Sequence, residues 1–240
     1  MKPYFETELG KLYNGDCLEV MDELIKQGIK IDLLCVDPDY PLTSRGTAGG
    51  TGGMLKNSLD GNVFGKKAPS IKEWLPKVKT LLKEKSHIYI MVNEKNLIDY
   101  HIELRNQGLN VFKTLVWIKD NKITNMYYMG QKEYIIFARK GKAKKINNCG
   151  TSDVFMFPNK KLKDENNKNL HDTPKPVELM EVLIKNSTKE GDVVLDFMCG
   201  IGSTLIASNK TNRKYIGVDI NEKYCKITKQ RLQNEQQTLL

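Results

Sequence analysis

The stretch Val193-Val194-Leu195-Asp196-Phe197-Met198-Cys199-Gly200-Ile201-Gly202-Ser203-Thr204 decides the predicted fold. Its apolar start predicts a buried strand that ends at Asp196, and Ser203 opens a segment of helical period. Gly200 and Gly202 let the backbone approach a ligand closely, where a larger side chain would clash. The N-terminus of the following helix favours a carboxylate group at that point. The stretch therefore predicts a strand, turn and helix that bind a nucleoside cofactor.

A second carboxylate supports this interpretation. Asp219 ends the next predicted strand, Tyr215 to Asp219, about 20 residues beyond the glycine turn, where it can accept hydrogen bonds from both ribose hydroxyls. The third glycine of a dinucleotide fingerprint is replaced by Leu205. On these residues alone, both S-adenosylmethionine and a dinucleotide remain candidate cofactors.

Apolar runs of strand length alternate with segments of helical period along most of the chain. This pattern predicts an α/β fold in one domain of 240 residues, a doubly wound and mostly parallel sheet with helices on both faces. The range Trp117 to Lys140 differs and predicts an antiparallel hairpin at the sheet edge. The predicted strands are Ile31 to Val36, His87 to Val92, Val111 to Trp117, Tyr134 to Phe137, Val193 to Asp196 and Tyr215 to Asp219, and the predicted helices are Ser70 to Glu84, Glu94 to Gln107, Pro176 to Ser187, Ser203 to Lys210 and Asn221 to Gln233.

A turn with different chemistry, Asp37-Pro38-Asp39-Tyr40, directly follows the strand Ile31 to Val36. The Asp37 carboxylate and the Pro38 carbonyl can each accept one hydrogen of an exocyclic amine, which favours a pyramidal nitrogen whose lone pair points at a methyl donor. Tyr40 is placed to stack on a base that has been flipped out of a duplex. This chemistry needs neither a metal nor a covalent intermediate. The two turns together predict a methyltransferase that acts on nucleic-acid bases.

Composition narrows the setting. The chain has 38 Lys and Arg residues against 29 acidic ones, a net charge of +9, which favours a polyanionic partner. Its five cysteines and three histidines form no cluster with metal-ligand spacing, so neither a zinc site nor a disulfide framework is indicated. No apolar run approaches the roughly 20 residues that a membrane span needs. We therefore expect a cytoplasmic protein without membrane association.

Two segments interrupt the regular alternation. The segment 41–69 contains seven glycines and predicts an irregular loop next to the Asp37 turn. The segment 139–168 holds nine basic and three acidic residues. It fits a nucleic-acid clamp or a solvated surface insertion about equally well. As DNA-recognition segments, the first would read base edges, with Arg45 as a candidate, and the second would contact phosphates.

The chain resembles the amino-methylating DNA methyltransferases of bacteria and their phages, in the class whose catalytic motif precedes its cofactor motif. The resemblance covers nearly the whole chain. Its most specific string is similar to the family's "H-x-T-x-K-P" segment. Besides the two turns, the resemblance is carried by Tyr13-Asn14-Gly15-Asp16-Cys17-Leu18, by Trp117-Ile118-Lys119 and by His171-Asp172-Thr173-Pro174-Lys175-Pro176.

This resemblance implies a Rossmann-like methyltransferase fold, S-adenosylmethionine as cofactor and double-stranded DNA as partner. Asp37, Pro38 and Tyr40 would be the catalytic residues. Asp16 would contact the adenine of the cofactor, and the segment around Thr173 to Pro176 would line its methionine end. A homodimer and a cognate restriction endonuclease are further partners that the resemblance suggests. The implied cofactor-binding residues are Asp16, Cys17, Thr173, Lys175, Pro176, Asp196, Met198, Gly200, Gly202 and Asp219.

Three alternatives remain open at this point. The leading hypothesis is methylation of the N6 amine of adenine, because cytosine-N4 members similar to this chain more often begin the catalytic turn with Ser; cytosine-N4 methylation is the first alternative. The second is a DNA-binding pseudoenzyme, because Asp39 stands where the family usually has Pro, and Phe197-Met198 stand where it usually has Pro-Phe. The third is a nucleotide-dependent oxidoreductase, which Leu205 and the lack of a recognisable hydride-transfer site disfavour.

Overall fold

A computed structural model describes residues 1–39, 62–63, 66–123, 127–159, 162, 167 and 174–238. Nine strands form one sheet, in the order β1-β2-β11-β10-β3-β6-β8-β7-β9, and β4 and β5 form a separate pair. The strands are β1 Phe5–Glu6, β2 Gly10–Asn14, β3 Ile31–Val36, β4 Asn62–Val63, β5 Lys66–Lys67, β6 Leu82–Val92, β7 Asn110–Ile123, β8 Gly130–Arg139, β9 Val154–Met156, β10 Val193–Asp196 and β11 Lys214–Asp219. The helices are α1 Cys17–Lys26, α2 Ile71–Leu81, α3 Leu97–Asn106, α4 Val177–Ser187, α5 Ser203–Lys210 and α6 Glu222–Thr238.

The centre of the sheet is parallel, as predicted. The five strands β2, β11, β10, β3 and β6 run in one direction. From β10 the chain continues to β11 on one side, and from β3 it continues to β6 on the other side. A crevice opens at such a reversal of strand order, outside the carboxyl ends of the strands, and it is the usual ligand site of doubly wound sheets. The topology therefore places the Asp37 turn and the glycine turn side by side.

Both faces of the sheet are covered, which explains why β3 is apolar at every position except Asp32. Leu34 and Val36 pack in the core that includes buried side chains of α1, α2 and α3. Leu33 and Cys35 point to the opposite face, where they pack in the core that includes α4. Successive side chains of a strand alternate between faces, so a strand buried on both faces is mostly apolar. The α/β prediction with helices on both faces is confirmed.

The hairpin prediction is correct in direction and wrong in position. Strands β7 and β8 pair antiparallel, and β8 also pairs antiparallel with β6. However, β9 pairs parallel with β7, with Trp117 opposite Phe155, and therefore occupies the edge. The segment 139–168 was predicted as an insertion, but part of it completes the sheet. A strand of three residues is too short to show a period of two.

The first 30 residues contain elements that the sequence prediction omitted, namely β1, β2 and α1. Helix α1 had a readable signal, because its buried side chains follow the spacing i, i+3, i+4 and i+7. Asp16 is its N-cap and accepts a hydrogen bond from the backbone N–H of Leu18 at 2.8 Å. The buried residues of α1 are Cys17, Val20, Met21 and Leu24.

Among the helices with described positions, none is long and apolar enough to cross a membrane.

Candidate active site

Three carboxylates lie at the carboxyl ends of three neighbouring strands. Asp37 follows β3, Asp196 ends β10 and Asp219 ends β11. The register pairs Leu195 of β10 with Leu34 of β3, and Asp196 with Gly217 of β11. Because neighbouring strands are about 4.8 Å apart, the three carboxylates share one rim of the sheet. This rim borders the crevice at the reversal of strand order.

The Asp37 carboxylate is held by a buried lysine. Lys175 Nζ donates to Asp37 Oδ2 and also forms an ion pair with Glu133 Oε2 at 3.4 Å. Lys175 lies between Pro174 and Pro176, immediately before α4, and its side chain is only 7% exposed. The ammonium group of Lys175, a predicted cofactor ligand, contacts the proposed catalytic carboxylate; its role toward the cofactor stays a prediction. Pro38 is buried beside Asp37.

Glu133 joins this lysine to a second one. Its Oε1 accepts a hydrogen bond from Lys119 Nζ, and that ammonium group lies 5.1 Å from the centroid of the Trp117 ring. Burial alone would raise the pKa of Glu133, but the positive charges of Lys175 and Lys119 outweigh it and the pKa is lowered. Sequence reasoning missed Glu133. Its position becomes apparent only from the hairpin register, which pairs Glu133 with Trp117.

The two turns touch through the residues that depart from the family pattern. The backbone N–H of Asp39 donates to Met198 Sδ at 3.2 Å. The Asp39 side chain reaches solvent, yet partial desolvation by the surrounding protein raises its pKa to about 6, with the negative charge of Asp37 as the second cause. Asp39 and Met198, which both differ from the family pattern, are therefore in direct contact. The flexible thioether of Met198 accepts a hydrogen bond from the backbone of the catalytic turn.

The glycine turn is fixed by its own packing. Gly200 and Gly202 have φ values of +53° and +81°, in the left-handed region that favours glycine. A Cβ atom on Gly202 would lie 2.5 Å from Thr228 Cγ2 of α6. The Thr228 hydroxyl donates to the Gly200 carbonyl at 3.0 Å. The absence of a side chain at Gly202 thus allows α6 to pack closely against the turn. The sequence analysis gave a different reason for this glycine, namely close approach of a ligand.

Asp219 combines a structural contact with free acceptor capacity. Its Oδ2 accepts from the backbone N–H of Gly200 and its Oδ1 from that of Asn221, both at 2.8 Å. Each carboxylate oxygen has a second lone pair, which is available to a ribose hydroxyl. Burial raises the pKa of Asp219 to about 7. Burial also raises the pKa of Asp196 to about 7, and this carboxylate accepts from the backbone N–H of Met198 at 3.2 Å.

The turn before α1 closes the other side of the crevice. The backbone N–H of Gly15 donates to the Asp219 carbonyl at 3.1 Å, and Asn14 Nδ2 donates to the same oxygen at 3.0 Å. These bonds hold Asp16 beside the end of β11. Cys17 is buried, and burial raises the pKa of its thiol to about 12, so it offers an uncharged surface.

This donor set fits S-adenosylmethionine. Asp219 is a half-buried acceptor for ribose hydroxyls, and several carboxylates surround a crevice that would receive a positively charged sulfonium.

Tyr40, Thr173 and His171 lie outside the described residues. Within the parts of the chain that the structure describes, no group of three or more His, Cys, Asp or Glu side chains could hold a metal ion.

Comparison with known proteins identifies DNA methyltransferases as relatives of this chain. A family model described as a DNA methylase matches residues 31–230. The Streptococcus pneumoniae protein "Type II methyltransferase M2.DpnII" is 28% identical over 257 aligned residues, which cover 99% of this chain and 94% of that protein. "Type II methyltransferase M2.LlaDCHI" of Lactococcus lactis subsp. cremoris is 28% identical over 250 residues, covering 96% and 92%.

Solved structures share the fold at lower identity. The PvuII DNA methyltransferase, described as cytosine-N4-specific, superposes with a TM-score of 0.71 at 15% identity, covering 97% of this chain and 95% of that one. The M1.HpyAVI–SAM complex superposes with a TM-score of 0.69 at 22% identity, covering 93% and 99%.

Proposed function

This chain belongs to the DNA methylase family, whose members methylate N6 or N4 amines with S-adenosylmethionine as donor, and on that premise we propose that it methylates the N6 amine of adenine in duplex DNA. The observation that carries the proposal is the contact between the two turns. The backbone N–H of Asp39, two residues after Asp37, donates to Met198 of the glycine turn at 3.2 Å. A base bound at Asp37 would therefore lie next to a cofactor bound at the glycine turn.

The exocyclic amine is a poor nucleophile, because its lone pair is delocalised into the ring. The Asp37 carboxylate and the Pro38 carbonyl would accept its two hydrogens and restore lone-pair density on nitrogen. Lys175 occupies Oδ2 of Asp37, which leaves Oδ1 facing the amine. Bound S-adenosylmethionine supplies the electrophilic methyl group. Once the amine has accepted the methyl group, it would lose one proton through the hydrogen bond to Asp37 or to water.

Adenine is favoured because the catalytic turn begins with Asp. Cytosine N4 is the alternative, because the PvuII enzyme, which has the same fold, is described as cytosine-N4-specific. The description of the relatives as type II methyltransferases supports a role in bacterial restriction and modification, in the cytoplasm beside an endonuclease of the same sequence specificity. Pairing into a homodimer stays a prediction.

DNA contacts are proposed at the tip of the β7–β8 hairpin and in the basic segment. Tyr127 and Tyr128 are 86% and 93% exposed, so they do not pack across the hairpin. The pairing of Tyr134 with Val92 places the tip beyond the carboxyl end of β6, on the same rim as Asp37. Exposed aromatic rings at this rim are suited to stacking on bases. Arg45 lies outside the described residues.

Not all the lysines of the basic segment are available to DNA. Lys140 Nζ donates to the carbonyls of Lys79 and Leu82, at the end of α2. Lys144 Nζ donates to the carbonyl of Ser187, at the end of α4. Cations at helix C-termini satisfy free carbonyls and complement the helix dipole. Lys142 and Lys145 are exposed and remain the better candidates for phosphate contacts.

The test is incubation of the purified protein with methyl-tritiated S-adenosylmethionine and unmethylated genomic DNA, followed by digestion to nucleosides and chromatography. Label in N6-methyladenine nucleoside supports the proposal, and label in N4-methylcytosine nucleoside supports the alternative. Absence of label, with cofactor and DNA both bound, supports the pseudoenzyme. Reversion of Asp39 to Pro and Met198 to Phe would then be expected to restore transfer.

Two substitutions test the division of the site. Asp37→Ala should abolish transfer while cofactor affinity stays unchanged, because Asp37 contacts the base. Asp219→Ala should weaken cofactor binding first. Calorimetric titration with S-adenosylmethionine distinguishes them, and an equal loss of cofactor binding in both variants would contradict the assignment.

A further inference from the structure

Four charges of alternating sign run from the hairpin to the catalytic turn: Lys119, Glu133, Lys175 and Asp37. We call this set the charge row. Lys119 Nζ contacts Glu133 Oε1, Lys175 Nζ lies 3.4 Å from Glu133 Oε2, and the same ammonium group donates to Asp37 Oδ2. The row joins β7, β8, the segment before α4 and the turn after β3. It therefore connects four separate parts of the chain at one point.

The row is buried at its lysines. The Lys119 side chain is 4% exposed and that of Lys175 is 7% exposed. Removing two ammonium groups from water carries a large desolvation cost, and well-packed apolar residues often stabilise a protein as much as a buried ion pair does. The fold alone does not require this arrangement. Its neutral charge balance and its end at Asp37 indicate a role in the site.

The geometry fixes the orientation of the Asp37 carboxylate. Prolines on both sides of Lys175 restrict its backbone, so its ammonium group approaches from a defined direction. Glu133 provides a second carboxylate for the same ammonium group, at 3.4 Å. With Oδ2 engaged, rotation of the carboxylate is restricted and Oδ1 keeps one direction. A hydrogen-bond acceptor for a reacting amine must be oriented in this way, since small misplacements strongly reduce the rate.

We infer that Glu133 is a positioning residue for methyl transfer: acting through Lys175, it holds the Asp37 carboxylate in the orientation that accepts the amino hydrogen of the target base. Lys119 balances the charge of Glu133 and fixes its side chain. This inference rests on the proposed role of Asp37. Glu133 touches neither the base nor the cofactor in this arrangement.

The principal variant is Glu133→Gln, which keeps the size of the side chain and removes its charge. Single-turnover methyl transfer at saturating DNA and cofactor should fall on the order of tenfold to a hundredfold. The dissociation constant for S-adenosylmethionine and the KM for DNA should change less than about twofold, because ground-state contacts are retained. Glu133→Asp keeps the charge and should recover part of the rate.

The matched control is Glu6→Gln. Glu6 of β1 forms an exposed ion pair with Lys11 of β2 at 3.3 Å, outside the charge row and outside the proposed DNA-contact segments. Its loss should leave the transfer rate within about twofold, because exposed ion pairs contribute little.

A second variant guards against misfolding. The double substitution Lys119→Met with Glu133→Gln removes one charge of each sign and preserves the balance of the buried region. It should fold and still transfer slowly, since the carboxylate that holds Lys175 has been replaced by a neutral amide. Wild-type rates in this variant, or in Glu133→Gln, would overturn the inference. Absence of transfer by the wild-type protein would instead refute the proposed function, so the two failures are distinguishable.

Discussion

Asp39 is negatively charged at neutral pH, although burial and Asp37 raise its pKa to about 6. This charge stands beside the position where Asp37 would meet a phosphate-flanked base. The backbone N–H of Asp39 donates to Met198, so an effect of Asp39 on DNA would come from its side chain. The residue therefore places a pH-dependent repulsion at the entrance of the site.

Asp39→Asn should tighten DNA binding roughly two- to fivefold at pH 8, a size typical of one exposed charge interaction. At pH 5.5 the wild-type carboxyl is largely protonated, and the substitution should have little effect. Fluorescence anisotropy with a labelled duplex measures both values. An equal gain at the two pH values would contradict an electrostatic origin.

Asp219 predicts a pH dependence of the cofactor affinity. Its pKa of about 7 means that the carboxylate, the proposed acceptor of the ribose hydroxyls, forms mainly above neutral pH. S-adenosylmethionine should therefore bind about tenfold more tightly at pH 8 than at pH 6. In Asp219→Asn the affinity should be weaker at pH 8 and nearly independent of pH. Titration calorimetry across this range tests the assignment, and a wild-type affinity that falls with rising pH would refute it.

At the scale of elements, helix α5 depends on the turn before it. Gly202 combines a left-handed φ with a contact to Thr228, and this places the first turn of α5 against α6. The helix begins at Ser203 only because the chain can reverse there. The same turn contributes the backbone N–H of Gly200 to Asp219, so the helix start and the cofactor site form together.

Gly202→Ala should lower the free energy of unfolding by about 2–3 kcal/mol and abolish cofactor binding, because backbone strain and a steric clash add. Gly28→Ala is a matched control. Gly28 has a φ of +68°, but a Cβ atom there would meet nothing within 4 Å. Its cost should be about 1 kcal/mol, with cofactor binding unchanged. Chemical denaturation of both variants gives the comparison, and equal costs would exclude the contact with Thr228 as a cause.

The accuracy of the sequence prediction followed how local the signal was. The strand Val193–Asp196 and the helix Ser203–Lys210 were predicted with their observed bounds, because an apolar run, a glycine turn and a helical period adjoin there. Strand β9 was missed, since its partner β7 lies some 40 residues away and only the pairing defines it. Glu133 was missed for the same reason, whereas Asp37 directly follows one recognisable strand and Asp219 ends another.

Across the whole molecule, the basic residues behind the net charge of +9 have two different roles. Some lysines of the basic segment stabilise the fold: Lys140 and Lys144 donate to carbonyl groups at the C-terminal ends of α2 and α4. The exposed lysines Lys142 and Lys145 are the proposed phosphate contacts. The sequence predicted the charge but not this division, because a lysine that caps a helix and one that faces solvent are identical in composition.

The division predicts different salt dependences. Neutralising Lys142 and Lys145 to Gln should reduce the slope of log Kd for DNA against log salt by about two, if each lysine contacts one phosphate. Lys113→Gln, which removes a lysine already paired with Asp153, should leave the slope nearly unchanged. Binding isotherms at several salt concentrations measure the slopes. Equal reductions in both variants would show that the contribution is one of overall charge.

The cofactor crevice is closed by strands from distant parts of the chain. Asn14 of β2 bonds to Asp219 of β11, 205 residues further on. During synthesis on the ribosome, residues 10–16 must therefore wait for their partner until residue 219 has been translated. A nascent chain could order the turn at Asp37, the proposed base site, before it could complete the proposed site of the methyl donor. A ribosome that stalls before residue 219 should release a product that cannot complete this crevice.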